Sequence, residues 1–237
     1  MFIVLFSTAV YSKTQIVVMA CNDFPPFKIE HPTDNNPGSD VEILHEIFKL
    51  SKTELQTPFM PWKRALLEAQ TGSVTGLCSC SKTKEREKNF YFSNKMGSNS
   101  VGIFLSEPSV NISKLADLKD LTVGVVRGYN LENELIEKNI TTHTTSRTIE
   151  LIKMLDAKRI DALYGYRTTI KVHLKELKLE DKFNYIEIKN APYFACFSKQ
   201  VSNSKELLKS FNNGLEIIKK NGVYKNILKK YHLLPYL

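Results

Sequence analysis

The chain has 237 residues, 42% of them apolar and 24% charged. That is the balance of an ordinary globular protein, long enough for one large domain or two smaller lobes. The formal net charge of +8 is spread through mixed-sign segments such as "KELKLEDK", without a basic stripe interleaved with aromatics, which argues against a nucleic-acid partner. No internal apolar run is long enough to form a membrane-spanning helix.

In chain order, "MFIVLFSTAVYS" is an uncharged apolar stretch ending in small residues before Lys13. It has the character of a secretory signal, with residues 1–12 as its remnant and Ser12 as the last residue removed. A buried first strand is the alternative for so short a run. Lys13 and Gln15 interrupt the apolar run before Cys21, which argues against a lipid anchor there. The expectation is an exported, periplasmic protein.

"IVVMAC" (16–21) reads as a strand followed by the turn-rich "NDFPPF". Asp40 is placed to cap the helix "VEILHEIFKLS", whose Val41, Leu44, Ile47 and Phe48 share one face. "WKRALLEAQTG" predicts a helix closed by Gly72, and "VTGLCSC" the strand after it. "NSVGIFLS" (99–106) is a further strand, and the polar "EPSVNIS" marks a change of domain. A second alternating unit opens with the strand "LTVGVVRG" and the helix "NLENELIEKN", and continues with the short strand "TTHTT". Ser146 is placed to cap "RTIELIKMLDAKR", and "IDALYGY" is a strand leading to the helix "TTIKVHLKELKL". "FNYIEIK" and "YFACFS" read as two strands, and helices near 204–220 and 223–231 close the chain. Such alternation predicts an α/β architecture with mainly parallel sheets. A faint echo between "ALLEAQTGSVTGL" and "ELIKMLDAKRIDAL" fits two lobes on one plan, divided near residue 107.

Four cysteines, Cys21, Cys78, Cys80 and Cys196, lack the spacing of a disulfide framework. Cys78 and Cys80 are two apart in a strand, roughly 6.5–7 Å, at the limit of disulfide geometry. Pairing of Cys21 with either stays open, and four buried small apolar side chains is the default reading. Without a CxxC pair, and with the histidines far apart, no metal is expected. Nucleophile-elbow, zinc-protease, phosphate-loop and dinucleotide fingerprints are missing. Asp23 and the acids at 132 and 134 read as turn and helix-start residues, so no catalytic residue and no cofactor is assigned.

Binding is better supported. In "CSCSKTKER", Thr83 is a good N-cap, which puts Arg86 in the first helical turn. A guanidinium beside a helix start suits a carboxylate in bidentate geometry. The competing reading is a capped surface helix whose arginine pairs with neighbouring glutamates. Phe24, Trp62, Tyr129 and Tyr166 all fall at the C-terminal ends of strands or just beyond them, where open α/β sheets bind ligands. Together with Arg86 they outline a pocket with apolar walls and one anion anchor.

These landmarks carry a family resemblance. "NDFPPF", "GSDVEIL", "WKRALLEAQTGSVTG", "SCSKTKERE…FYFS", "LADLKDLTVGVVRGYN", "LDAKRIDALYG" and "NNGLEIIKKNGVYKNILKKY" stand in that order between about Gln15 and Tyr231. The chain in this respect resembles the extracellular solute-binding proteins of polar-amino-acid ABC transporters, family 3, of the type II periplasmic binding protein class. The resemblance implies a two-lobed clamshell with hinge strands near 100–105 and 193–197. Lobe one would comprise 13–105 plus 195–237, and lobe two 106–194. By position, Phe24 and Trp62 become aromatic walls, and Ser79 and Ser81 hydrogen-bond polar groups of the ligand. Arg86 clamps its carboxylate, and Tyr129 and Asn130 meet it from lobe two. Members that bind α-amino acids commonly carry an acid where this chain has Tyr166, and a second where it has Cys21. Both substitutions border the site and remove the charge complement of an ammonium group. The implied protein is a monomer that captures a small carboxylate-bearing solute, an amino acid or a related compound, and hands it to an ABC permease. A dehydratase-like enzyme on the same clamshell, or a sensor without a permease, are the alternatives.

Overall fold

The computed structural model describes residues 16–106 and 112–234. The expected signal segment and the domain break after residue 106 lie outside, or border on, these residues. The chain opens with β1 (Ile16–Ala20), α1 (Ser39–Leu50), β2 (Glu54–Gln56), α2 (Trp62–Thr71) and β3 (Gly76–Ser81). It continues through the single turn α3 (Lys84–Glu87), β4 (Phe90–Phe92) and the long strand β5 (Gly97–Leu105). The second run comprises β6 (Val123–Val126), α4 (Asn130–Ile136), β7 (Thr142–Thr145), α5 (Thr148–Asp156), β8 (Ala162–Tyr166) and α6 (Arg167–Glu176). Strand β9 (Asn184–Ser198) returns the chain to the first half, where α7 (Ser204–Lys220) and α8 (Val223–Lys230) finish it.

The strands form one sheet in the order β2-β1-β3-β9-β5-β8-β6-β7, with β4 also paired to β9. Two parallel groups are legible within it. β1 pairs in parallel with β2 and β3, and β6 pairs in parallel with β7 and β8. Between them run β9 and β5, antiparallel to each other and to their outer neighbours. The chain crosses from one parallel group to the other along these two long strands. "FNYIEIK" and "YFACFS" are therefore halves of one strand, because pairing with β5 continues from Leu105↔Asn184 to Gly97↔Tyr193, through Pro192.

Local signals explain most boundaries. Gly72 ends α2 in the left-handed conformation, φ 79°, and its N–H reaches back to the last carbonyls, a geometry that costs little without a Cβ. Val41, Leu44, Ile47 and Phe48 are all buried, as the spacing predicts. Phe48 and Phe197 both pack on Phe211 of α7, with ring centroids 6.1 and 5.6 Å apart. Two caps differ from expectation. Gly38, not Asp40, is the N-cap of α1, and the Asp40 side chain caps nothing. It lies inside the helix and is buried. Helix α5 begins after Arg147 rather than Ser146, again without a side-chain cap. The short strands β2 and β4, three residues each, are too short to carry a distinctive pattern; they are held by pairing with β1 and β9.

The cysteines are the largest correction. Cys21 is bonded to Cys78, with Cα atoms 5.2 Å apart, and Cys80 to Cys196, with Cα atoms 6.3 Å apart. The first pair was one of two open options; the second joins β3 to β9, an antiparallel neighbour that spacing along the chain cannot reveal.

Candidate functional site

A cavity with about 390 Å³ of free space, partly open to solvent, lies between the two parallel groups at the C-terminal ends of β1, β3, β6 and β8. Strand β3 forms its floor. Ser79 and Ser81 both line it, and Thr83 accepts the backbone N–H of Arg86 at 3.2 Å, which caps α3 as expected. This cap turns the Arg86 side chain back over the strand, where Nη1 donates to the Ser81 carbonyl at 3.0 Å. The guanidinium carbon stands 4.9 Å from the Trp62 ring, a stacked cation–π arrangement. Arg86 is 6% exposed, and no acidic side chain forms an ion pair with it among the described residues. The capped surface helix with a glutamate-paired arginine is thus not what forms. Burial lowers its pKa from the usual guanidinium value, against the pull of Tyr166, Glu85 and Tyr129; an arginine so placed still stays protonated.

The aromatic wall comes from both halves. Phe24, in the loop after β1, meets Tyr166 at the end of β8 edge-on, with centroids 5.3 Å apart. Trp62, the first residue of α2, meets Tyr129 edge-on at 5.9 Å, and Tyr129 meets Tyr166 at 5.7 Å. Polar bridges reinforce the contact. Trp62 Nε1 donates to the Gly128 carbonyl at 2.8 Å, and Asn22 Nδ2 to the Tyr129 hydroxyl at 3.1 Å. The Ser81 and Tyr166 hydroxyls are 2.9 Å apart, and Tyr166 donates to Asn130 Oδ1 at 3.2 Å. Burial raises the pKa of Tyr129 and Tyr166, so both remain neutral phenols. Gly128 has φ +78°, and a Cβ there would sit 3.3 Å from Lys63 Cβ and 3.4 Å from Trp62 Cδ1. A glycine is what allows this turn to approach α2 so closely.

Phe24, Trp62, Ser79, Ser81, Arg86, Tyr129, Asn130 and Tyr166 therefore line one cavity. Cys21 does not: it is 1% exposed, with its sulfur committed to Cys78, while its neighbour Asn22 faces the cavity instead. The sequence reading missed Lys28, Cys80, Asn99 and Tyr193 as lining residues. Lys28 could have been suspected, since it follows "NDFPPF" directly; Asn99 and Tyr193 arrive from β5 and β9 and have no local signature.

Lys28 opens a buried polar cluster behind the floor. Its ammonium donates to Ser79 Oγ at 3.0 Å. Burial lowers its pKa to about 8, against the attraction of Asp40 and Asp23. Burial raises Asp40 to about 6, opposed by Lys28 and by the Ser79 and Tyr193 hydroxyls. Asp40 Oδ1 and Asn99 Oδ1 have no hydrogen-bond partner.

The carboxylates that could serve catalysis are engaged elsewhere. Asp23 Oδ1 accepts from the Glu30 N–H at 3.2 Å, and Glu132 Oε2 from the Gly128 N–H at 2.5 Å. Glu134 accepts from Lys189 at 2.6 Å, Tyr164 at 2.8 Å and Asn130 at 3.0 Å. None of the three lines the cavity. Among the described residues no group of His, Cys, Asp and Glu side chains has the arrangement of a metal site, and no helix is long and apolar enough to cross a membrane.

A sequence profile of the bacterial extracellular solute-binding proteins, family 3, matches residues 16–233. A Bacillus subtilis (strain 168) protein named "Probable amino-acid-binding protein YxeM" is 26% identical over 199 residues, covering 82% of this chain and 75% of its own. The arginine-binding periplasmic protein of Mannheimia haemolytica is 24% identical over 237 residues, covering 96% of this chain and 95% of its own. Among solved structures, an ancestral arginine-binding protein bound to arginine superposes with a TM-score of 0.80 at 23% identity, covering 91% of this chain and 97% of that one. At that identity the likeness establishes the fold, a type II periplasmic binding protein clamshell.

Proposed function

Because the chain belongs to the bacterial extracellular solute-binding proteins, family 3, we propose that it captures a small carboxylate-bearing solute between two lobes, outside the cytoplasm, and delivers it to an ABC permease. The observation that carries the reading is Arg86: a buried guanidinium, stacked on Trp62 and facing the cavity, without a carboxylate partner. A buried cation is costly unless paired, and a ligand carboxylate supplies the missing charge in a bidentate geometry. Ser79 and Ser81 then hold the ligand from the floor, with Phe24 and Trp62 as walls and Tyr129, Asn130 and Tyr166 closing from the opposite lobe.

The lobes are 13–105 plus 195–237 and 106–194, with hinges in β5 and β9. The contacts from Trp62 to Gly128, and from Asn22 to Tyr129, are those a hinge closure would make and break. Two disulfides support an oxidising compartment, in line with the periplasmic relative. The protein works as a binding protein rather than an enzyme, in line with the names of its relatives. Among the described residues no acid lines the cavity, which favours a carboxylate-bearing solute related to an amino acid over one that needs its α-ammonium paired.

A thermal-shift screen of carboxylates, amino acids and amines tests the reading, because a ligand that binds the folded state raises the melting temperature by mass action. Carboxylates should stabilise the wild type, and Arg86→Ala should lose the effect, with affinity down about a hundredfold. A carboxylate that stabilises Arg86→Ala as well as wild type would remove Arg86 as the anchor.

A further inference from the structure

The cavity holds a second cation that a single carboxylate does not satisfy. Lys28 is 3% exposed and lines the same space as Arg86. Its ammonium has three protons to donate, and its one hydrogen bond, to Ser79 Oγ at 3.0 Å, uses one of them. The Phe24 ring lies below it, 5.0 Å from the nitrogen to the centroid. Asp40 on α1 and Asp23 in the loop after β1 are the acids whose charge reaches it. Neither forms an ion pair with it, and neither lines the cavity. Indeed, among the described residues no Asp or Glu lines the cavity, while both Lys28 and Arg86 do. The other polar groups that face it, from Asn22, Asn99, Asn130, the two serines and the tyrosines, are uncharged.

The two cations are anchored separately: Lys28 is tied to the Ser79 hydroxyl and Arg86 to the Ser81 carbonyl, so each can meet its own anion. We infer that the site selects a small dicarboxylate without an amino group, with Arg86 holding one carboxylate and Lys28 the other; glutarate serves as the probe. The inference rests on the reading of this cleft as a carboxylate site and names its ligand class. Discrimination against the α-amino acid comes from the ammonium group, which would be buried beside two cations with no carboxylate to meet it.

Isothermal titration with four probes tests it: glutarate; glutaramate, its half-amide and a near isostere; L-glutamate, which adds the ammonium; and L-arginine. Glutarate should bind wild type at least about tenfold more tightly than any of the other three. Lys28→Met, checked for folding by circular dichroism, should lose the preference for glutarate over glutaramate, while Arg86→Ala weakens both. A reading on wild type alone is independent of that variant. Between pH 7 and 9 Asp40 is already ionised and Lys28, at about 8, loses its proton, so glutarate affinity should fall across this range faster than that of glutaramate. Glutaramate or L-glutamate binding as tightly as glutarate, or a preference for glutarate that survives in Lys28→Met, overturns the dicarboxylate assignment and leaves the carboxylate cleft standing. No binding by any of the four overturns both.

Discussion

Lys28, Asp40 and Arg86 show how single residues acquire meaning only from what surrounds them. The placement of Arg86 was legible: a capping threonine three residues before it, two serines upstream and an aromatic set along the chain all pointed to one cavity, which the arginine, serines and aromatics do line together. Lys28 was legible only in part: it follows "NDFPPF" directly, but nothing near it in sequence separates a surface lysine from one whose ammonium is buried over a phenylalanine ring. Asp40 was read correctly as a helix-start residue and wrongly as the cap. Gly38 adopts φ 103°, a cap conformation without a Cβ, which draws Asp40 into the first turn and beneath the floor. Its raised pKa has a measurable consequence. Between about pH 4 and 6 the folded protein binds a proton at Asp40 that the unfolded chain does not, so this group's contribution to stability is greatest near pH 4 and is lost as pH rises through 6. Asp40→Asn should therefore gain on wild type between pH 4 and 7, by on the order of 2–3 kcal/mol, several degrees in melting temperature. A difference between the two proteins that stays constant over that range would show that the carboxyl titrates normally.

At the scale of elements, β3 carries the site. It lies between β1 and β9 and is bonded covalently towards both, through Cys78 and Cys80. The serines that line the cavity are thus the alternate residues of a strand fastened to each neighbour. The disulfides close spans of 57 and 116 residues, long enough for the unfolded chain to lose substantial freedom. Replacing either pair with serines should cost about 2–5 kcal/mol in chemical denaturation. It should also weaken ligand binding beyond what global stability explains, since the floor is then fastened covalently on one side only. Unchanged affinity in both double variants would show that the strand is rigid without its sulfur bonds. Strand spacing suggested Cys21 with Cys78 as one possibility, but Cys80 with Cys196 required knowing that β9 returns beside β3. The same return explains why β9 reads as two strands in sequence: its middle, "KNAP", carries no apolar alternation, and pairing with β5 supplies the continuity.

For the whole molecule, β5 and β9 join the two parallel groups, and in the proposed closure a small rotation of each strand would move the aromatics of one wall against the other. Glutarate at saturation should lower the radius of gyration in solution scattering, with the change suppressed in Trp62→Ala, which lacks the donor to Gly128. An identical radius with and without ligand would mean that the cavity fills without lobe motion.

What the sequence determined by itself was the alternation of strands and helices, the α/β layers this alternation builds, and the Thr83 cap; the family resemblance added the clamshell, and the serines, arginine and aromatics it singled out line one cavity. These are local patterns: period, cap chemistry and turn residues act within a few positions, and tertiary contacts here reinforce them. What only the tertiary structure decided was long-range and electrostatic. The partner of Cys80, the continuity of β9, the arrival of Asn99 and Tyr193, and the lack of any acid, among the described residues, in the lining of a cavity that holds two cations all depend on which distant segments share a boundary. Burial, not sequence, turned Lys28 from a solvated charge into a group that needs an anion.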